Sequence, residues 1–154
     1  MKFRGAEAVV ESTEWGDKHA ISKIRNTRSY RHPDLEKRLV RDRIRQEVRI
    51  IERLLSSGIA VPCIYCVDTS NSQIVMEYIE GPTLEQALRK ADFKKRLIET
   101  AELLSSIHSR GVIHGDPTTS NFMVNEKIYA IDFGLSTVSD DSEDRASGLR
   151  VFLE

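Results

Sequence analysis

Aromatic residues make up only 6% of this 154-residue sequence, cysteine occurs twice and proline four times. Each scarcity excludes something. Two cysteines rule out a disulfide framework and fit a reducing compartment. No apolar run approaches the ~18 residues that a membrane span needs, and the opening MKFRGAEAVV has no apolar signal core, so the expected setting is cytoplasmic and away from membranes. What is present is a globular composition. With 40% hydrophobic and 31% charged residues, the chain matches neither a disordered segment nor a coiled coil, and its length suffices to bury a core without staples.

The cysteines stand as Cys63-Ile-Tyr-Cys66, the spacing of metal and redox sites. Zinc would need two further ligands, yet His19, His32, His108 and His114 are scattered, none at paired spacing. Two small residues in an apolar strand is the preferred reading. The net charge of -1 hides an asymmetry, because residues 18–53 hold twelve basic against five acidic side chains. Lys23, Arg25, Arg28 and Arg31 suit the phosphate of a nucleotide or of nucleic acid, but equally a solvated helix face and loop. The segment lacks the interleaved aromatics of a base-stacking platform.

Residues 8–12 and 19–24 are β-prone runs around a turn at Glu14–Asp17, a hairpin signal. Pro33 opens a long helical pattern in which Leu35, Leu39, Val40, Ile44, Val48, Ile51 and Leu55 recur at spacings of three and four until Gly58. Val61–Val67 and Gln73–Ile79 read as two strands joined by the polar turn 68–72. Thr83-x-x-Gln86 is a capping box that starts a short helix, and a second helix covers Phe93–Arg110 before Gly111. The remainder reads as short strands and loops, at 112–114, 122–124 and 128–132, followed by the acidic run Ser139–Asp144. This order predicts an α+β chain that changes character near Glu80, with domains 1–80 and 81–154 and a hinge at Gly81-Pro82.

Three polar residues lie where the local pattern does not want them. Asp116 and Asn121 occupy a loop between apolar strands, and Asp132 follows the apolar run Ile128–Ile131 and precedes Phe133-Gly134. Hard oxygen ligands at strand ends can hold Mg²⁺, which takes carboxylates plus substrate phosphates. The spacing is that of protein kinases, whose catalytic-loop Asp is followed five residues later by a metal-binding Asn, with a second metal-binding Asp in a D-F-G sequence. Kinases also need a strand lysine on the α and β phosphates, oriented by a helix glutamate. Glu47 lies three residues from Ile44, seven from Val40 and four from Ile51, so it falls on the apolar face of the long helix. A buried carboxylate requires a cationic partner, for which Lys23 is the candidate. The alternative keeps Glu47 at the stripe's edge beside Arg43 or Arg45.

Taken together, these residues resemble the small atypical protein kinase of the KEOPS (EKC) complex, the PRPK family of archaea and eukaryotes. The resemblance rests on Gly5-Ala-Glu7-Ala8, Lys23-Ile-Arg25, Tyr30-Arg31-His32-Pro33-Asp34-Leu35, Glu47 and Met76-Glu77-Tyr78-Ile79-Glu80-Gly81. His114-Gly115-Asp116-x-Thr118-Thr119-Ser120-Asn121, Ile131-Asp132-Phe133-Gly134 and Glu143-Asp144-Arg145-Ala146 complete it. It implies a minimal bilobal protein-kinase-like fold, with an N-lobe β-sheet carrying one long helix and a reduced helical C-lobe. It further implies an ATP- and Mg²⁺-dependent Ser/Thr kinase or ATPase. In it Asp116, Lys23 and Glu47 serve catalysis, Asn121 and Asp132 hold the metal, and Gly5, Lys23, Met76, Glu77 and Ile79 meet the nucleotide. The implied role is support of the threonylcarbamoyl-transferase subunit, alongside the other KEOPS subunits, in making threonylcarbamoyladenosine on tRNA, with tRNA reached through the complex.

Departures from ordinary kinases carry expectations of their own. There is no G-x-G-x-x-G and only Gly5 remains, so the phosphate clamp is either looser or relies on Lys23 and the Glu7 backbone region. Gly115 replaces the arginine that reads activation-loop phosphate, which favours control by a partner protein over phosphorylation. Thr118 stands where a catalytic-loop lysine is usual, and Pro117 replaces the family's leucine. After Arg145-Ala146 the family continues with an aspartate-containing helix and a basic tail, whereas here Ser147-Gly148 follows and Glu154 is last. An intact two-lobed kinase needs roughly 250 residues, so either substrate recognition is delegated to a partner or a tail is missing. Rival readings are a RIO-type kinase, an aminoglycoside-type phosphotransferase, a nucleotide-binding pseudokinase scaffold and a tRNA-binding adaptor. The aminoglycoside enzymes usually place His where Thr119 stands and lack I-D-F-G.

Overall fold

The structure is a computed structural model that describes residues 2–4, 8–27, 32–89 and 93–153, with side chains from residue 8 onward. Gly5, Glu7, Arg28, Tyr30 and Arg31 lie outside the described residues. The chain divides into two compact units, 1–49 with 63–78 and 50–62 with 79–154.

The first unit is a five-stranded antiparallel sheet and most of one helix. The strands are β1 (Lys2–Arg4), β2 (Ala8–Trp15), β3 (Lys18–Arg25), β4 (Ile64–Asp68) and β5 (Gln73–Glu77), in the spatial order β1-β2-β3-β5-β4. The hairpin expected near residue 16 is present but tighter, with Trp15 opposite Lys18 across a two-residue turn. β1, not anticipated from sequence, pairs with β2 from Lys2 opposite Glu11 to Arg4 opposite Val9. Cys63 is exposed and precedes β4, so only Cys66 lies in a strand. Partial burial, and then the Glu77 carboxylate, push the Cys63 thiol above its ordinary value. At neutral pH it is therefore protonated and a poor nucleophile or metal ligand.

Helix α1 (Pro33–Ser56) supplies the other layer. Its apolar stripe buries Val40 and Ile44 against Ile74 and Met76 of β5, with Ile21, Val48 and Ile64 at the margin. The helix ends as its sequence dictates. Gly58 adopts φ 75°, a conformation that favours glycine, while the Ile59 amide donates back to the Leu54 carbonyl.

In the second unit helices outweigh strands. Thr83 caps α2 (Leu84–Leu88) through the full capping box with Gln86. Then come α3 (Phe93–Ser109), β6 (Val112–Ile113), β7 (Phe122–Val124), β8 (Ile128–Ala130), β9 (Thr137–Val138) and α4 (Ser142–Leu153). β6 pairs with β9 and β7 with β8, both antiparallel. α4 replaces the loop expected there. Asp141 caps it by accepting the Glu143 amide at 2.9 Å, with Glu143 and Asp144 favourably placed in its first turn. Among the described residues, no helix is long and apolar enough to cross a membrane.

Candidate active site

Strand parity and helix periodicity place the candidate residues of the first unit. Ile21, Lys23 and Arg25 alternate with Ser22 and Ile24, so they share one face of β3, and Ile21 packs against the helix-covered core. Glu47 comes from the same apolar face of α1 and is 1% exposed. Lys23 Nζ donates to Glu47 Oε1 at 2.6 Å, and Arg25 Nη2 donates to Glu47 Oε2 at 2.6 Å. The sequence-expected partner is therefore present. The reading of Glu47 at the stripe's edge is overturned, and Arg45 lies 3.8 Å from Asp42 instead. Arg25 as a second partner was missed. Its signal was available, since two residues along a strand return to the same face.

The candidate residues of the second unit are assembled by backbone geometry. The register of β7 with β8, Phe122 opposite Ala130, extends one step because the Ile131 amide donates to the Asn121 carbonyl at 2.9 Å. This brings Asn121 and the start of Asp132-Phe133-Gly134 to the same end of the ribbon. Asn121 Nδ2 donates to the Asp116 carbonyl at 2.8 Å and to Asp116 Oδ2 at 2.9 Å. The Thr118 amide also donates to that carbonyl at 2.9 Å, and Thr118 Oγ1 lies 3.0 Å from Ser120 Oγ. The loop is thus closed on Asp116 from two sides.

Behind it sits His114, 1% exposed. Its ring centroid lies 4.7 Å from that of Phe133 and 5.9 Å from that of Phe122. Nε2 is 2.9 Å from the Ile131 carbonyl, and the Asp116 amide points at Nδ1 at 3.4 Å. Both contacts are met by one neutral tautomer, with the hydrogen on Nε2. The imidazole therefore links the Asp116 loop to the residue preceding Asp132. The sequence places His114 at the end of a strand over 112–114 and in the loop motif, with no linking role; the strand ends at Ile113.

Asp132 has φ 58°, a sparsely populated conformation that Asp tolerates better than most residues, and its Oδ1 accepts from the Gly134 amide at 3.3 Å. Gly115 has φ 88°, and a Cβ there would meet the Leu135 carbonyl oxygen at 2.1 Å. No arginine fits at that position without movement of backbone, which is the physical reason for the departure seen in the sequence.

The donor set suits magnesium. Mg²⁺ binds through one or two carboxylates plus substrate phosphates, not through an all-protein cage. Among the described residues no group of three or more His, Cys, Asp or Glu could hold a metal. Asn121 commits its Nδ2 to Asp116, which leaves Oδ1 as its atom with lone pairs to offer a cation. Met76 is buried on β5 opposite Ile21, Glu77 lies opposite Ala20, and Ile79 is buried in the second unit. The Glu77 carboxylate accepts the Cys63 amide at 3.1 Å.

Residues 5–151 match the protein kinase domain family. The chain is 38% identical over 150 residues to the KEOPS complex subunit Bud32 of Pyrococcus abyssi, covering 91% of this chain and 68% of that one. It is 37% identical over 151 residues to the EKC/KEOPS complex subunit BUD32 of Encephalitozoon cuniculi, covering 97% and 74%. It is also 37% identical over 152 residues to a probable bifunctional tRNA threonylcarbamoyladenosine biosynthesis protein of Methanospirillum hungatei. There it covers 98% of this chain but spans only 27% of the relative's length. In fold it is similar to the Rio2 kinase in an ADP/Mg²⁺-phosphoaspartate complex from Chaetomium thermophilum, with a TM-score of 0.85 at 17% identity. That match covers 99% of this chain and 52% of the other.

Proposed function

Since the chain belongs to the Bud32 family of the protein kinases, we propose that it is an ATP- and Mg²⁺-dependent phosphotransferase, a Ser/Thr protein kinase or ATPase of the KEOPS complex. In that setting it supports the threonylcarbamoyl-transferase subunit in making threonylcarbamoyladenosine on tRNA, in the cytoplasm. The observation that carries the reading is the buried Lys23–Glu47 pair, with nitrogen and oxygen 2.6 Å apart. Withdrawing both charges from water is costly, so such a pair is retained where an ammonium must be held in one place.

When bound, Mg²⁺–ATP supplies the phosphoryl group and neutralises charge developing on its oxygens. Lys23 holds the α and β phosphates while Glu47 fixes its direction. Asp116 orients an acceptor hydroxyl, of a serine, a threonine or water, and takes its proton. Asn121 holds the Asp116 carboxylate through Nδ2 and offers Oδ1 to the metal beside Asp132. The backbone groups of Glu77 and Ile79 read the adenine edge next to Met76, and Gly5 contributes to the phosphate clamp. Without an arginine at Gly115, activation rests on a partner protein instead of loop phosphorylation.

The test is ATP turnover and autophosphorylation of the parent, Lys23→Ala and Asp132→Asn, with and without the transferase subunit. Each substitution is expected to lower the rate by about a hundredfold or more. If neither changes it, the catalytic assignment is wrong.

A further inference from the structure

Arg25 has no part in the reaction described above, yet it is 5% exposed and shares the one carboxylate on which Lys23 depends. The two cations divide Glu47 between them, Lys23 on Oε1 and Arg25 on Oε2, each at 2.6 Å. They are chemically unequal. A lysine ammonium is a point charge on a flexible four-carbon stem, and one contact from it leaves a carboxylate free to rotate. A guanidinium is a planar donor of fixed shape, and through Nη2 alone it holds Oε2 with less freedom than a flexible ammonium would.

Arg25 is also firmly mounted. It ends β3, lies opposite Ala8 of β2, and its amide donates to the Ser72 carbonyl at 2.9 Å in the turn before β5. Glu47, by contrast, reaches β3 from α1 on a side chain with three rotatable bonds.

We propose that Arg25 is a positioning residue, which anchors Glu47 through Oε2 so that Oε1 holds the Lys23 ammonium in place for nucleotide phosphates. In this arrangement Arg25 touches neither nucleotide nor acceptor and acts on the lysine through Glu47. The strand that carries the phosphate-binding lysine thereby also carries the restraint on that lysine's own partner. The inference rests on the phosphotransferase reading, and its consequence is specific. Losing Arg25 weakens recognition of phosphates and spares recognition of the base.

Calorimetric binding of Mg²⁺–ATP and of adenosine, with thermal unfolding as the fold control, tests this on the whole chain. In Arg25→Ala the dissociation constant for ATP is expected to rise about tenfold, in the range seen when a supporting partner of a functional ligand is removed. Adenosine binding is expected to be unchanged, and Arg25→Lys to recover only a small part of the loss, since an ammonium restores the charge without the planar donor. If the alanine variant does not fold, Arg25→Gln, which fills more of the same volume, is measured in its place. An unaltered ratio of ATP to adenosine affinity in a folded variant, or a parallel loss of both, would overturn the proposal. The controls separate it from the broader reading. A parent that prefers ATP over adenosine, with that preference abolished in Lys23→Ala, upholds the phosphotransferase reading whatever Arg25 does. A parent with no such preference overturns both.

Discussion

In the first unit Lys23, Arg25 and Glu47 are at most 5% exposed and meet through their side chains, whereas in the second Asp116 is half-buried and Asp132 is exposed. The two groups of candidate residues are therefore held in place by different means. Buried ions must be positioned by other ions, because the interior tolerates no unpaired charge. The exposed carboxylates are positioned by main chain: Asp132 through its left-handed φ, Asp116 through the bonds on its own carbonyl and the imidazole behind it. Substitutions in the first group should act on stability and chemistry together, and those in the second on chemistry alone unless they disturb the backbone.

The largest effect should come from Glu47→Ala, which leaves two buried like charges without their shared carboxylate. A loss of about 3–5 kcal/mol is expected in denaturant unfolding. Asp132→Asn should stay within about 0.5 kcal/mol of the parent. Equal losses in the two variants would erase the contrast. Next is Gly115→Ala, where the new Cβ has the Leu135 carbonyl at 2.1 Å and a positive φ besides. It should cost about 2 kcal/mol or more, making backbone the sensitive element of the second unit. An unchanged unfolding midpoint would show that the loop gives way freely.

A smaller change of opposite sign is expected for Gly148→Ala inside α4. Its Cβ would sit 3.6 Å from His108 Nε2 and from Ile113 Cγ2, ordinary contact distances, so the gain in helix propensity of about 1 kcal/mol should appear as a higher melting temperature. A lower one would mean that the contact is tighter than it looks.

The smallest effect is a pH dependence in the second unit. Burial, and then the Arg145 guanidinium, hold the His108 imidazole below its ordinary pKa. The unfolded chain takes up a proton near pH 6.5 while the folded one stays neutral, so stability present above about 6.5 is lost as pH falls through that value. His108→Gln should flatten the dependence of melting temperature on pH. An equal slope in parent and variant would remove His108 as its source.

Much of this was legible in the sequence where one residue type carried one clear demand. Glu47 on an apolar face required a cation, and Lys23 supplies it. Thr83 and Gln86 announced a helix start, and both reciprocal bonds are made. Arg25 was read as part of a basic segment and of the Lys23-Ile-Arg25 motif, not as a partner of Glu47, because net charge blurs what strand parity resolves. No helix was read at α4, where the sequence showed an acidic run over Ser139–Asp144 and then Ser147-Gly148. Asp141 is in fact the cap, and Gly148 is the buried contact of the helix with His108 and Ile113. The approach of Gly115 to Leu135 was not legible at all, since twenty residues separate them and only the folded chain brings them together.

That approach bears on how such a chain can change. Glycine and arginine codons differ by a single base, so the replacement that would install an arginine beside Asp116 is among the commonest a genome can sample. The Leu135 carbonyl stands in its way regardless of the side chain at 135, since the obstacle is main chain. Acquiring a phosphate-reading loop would require the segment at 135 to move first, so the route from this architecture to a phosphorylation-switched kinase has no viable single step.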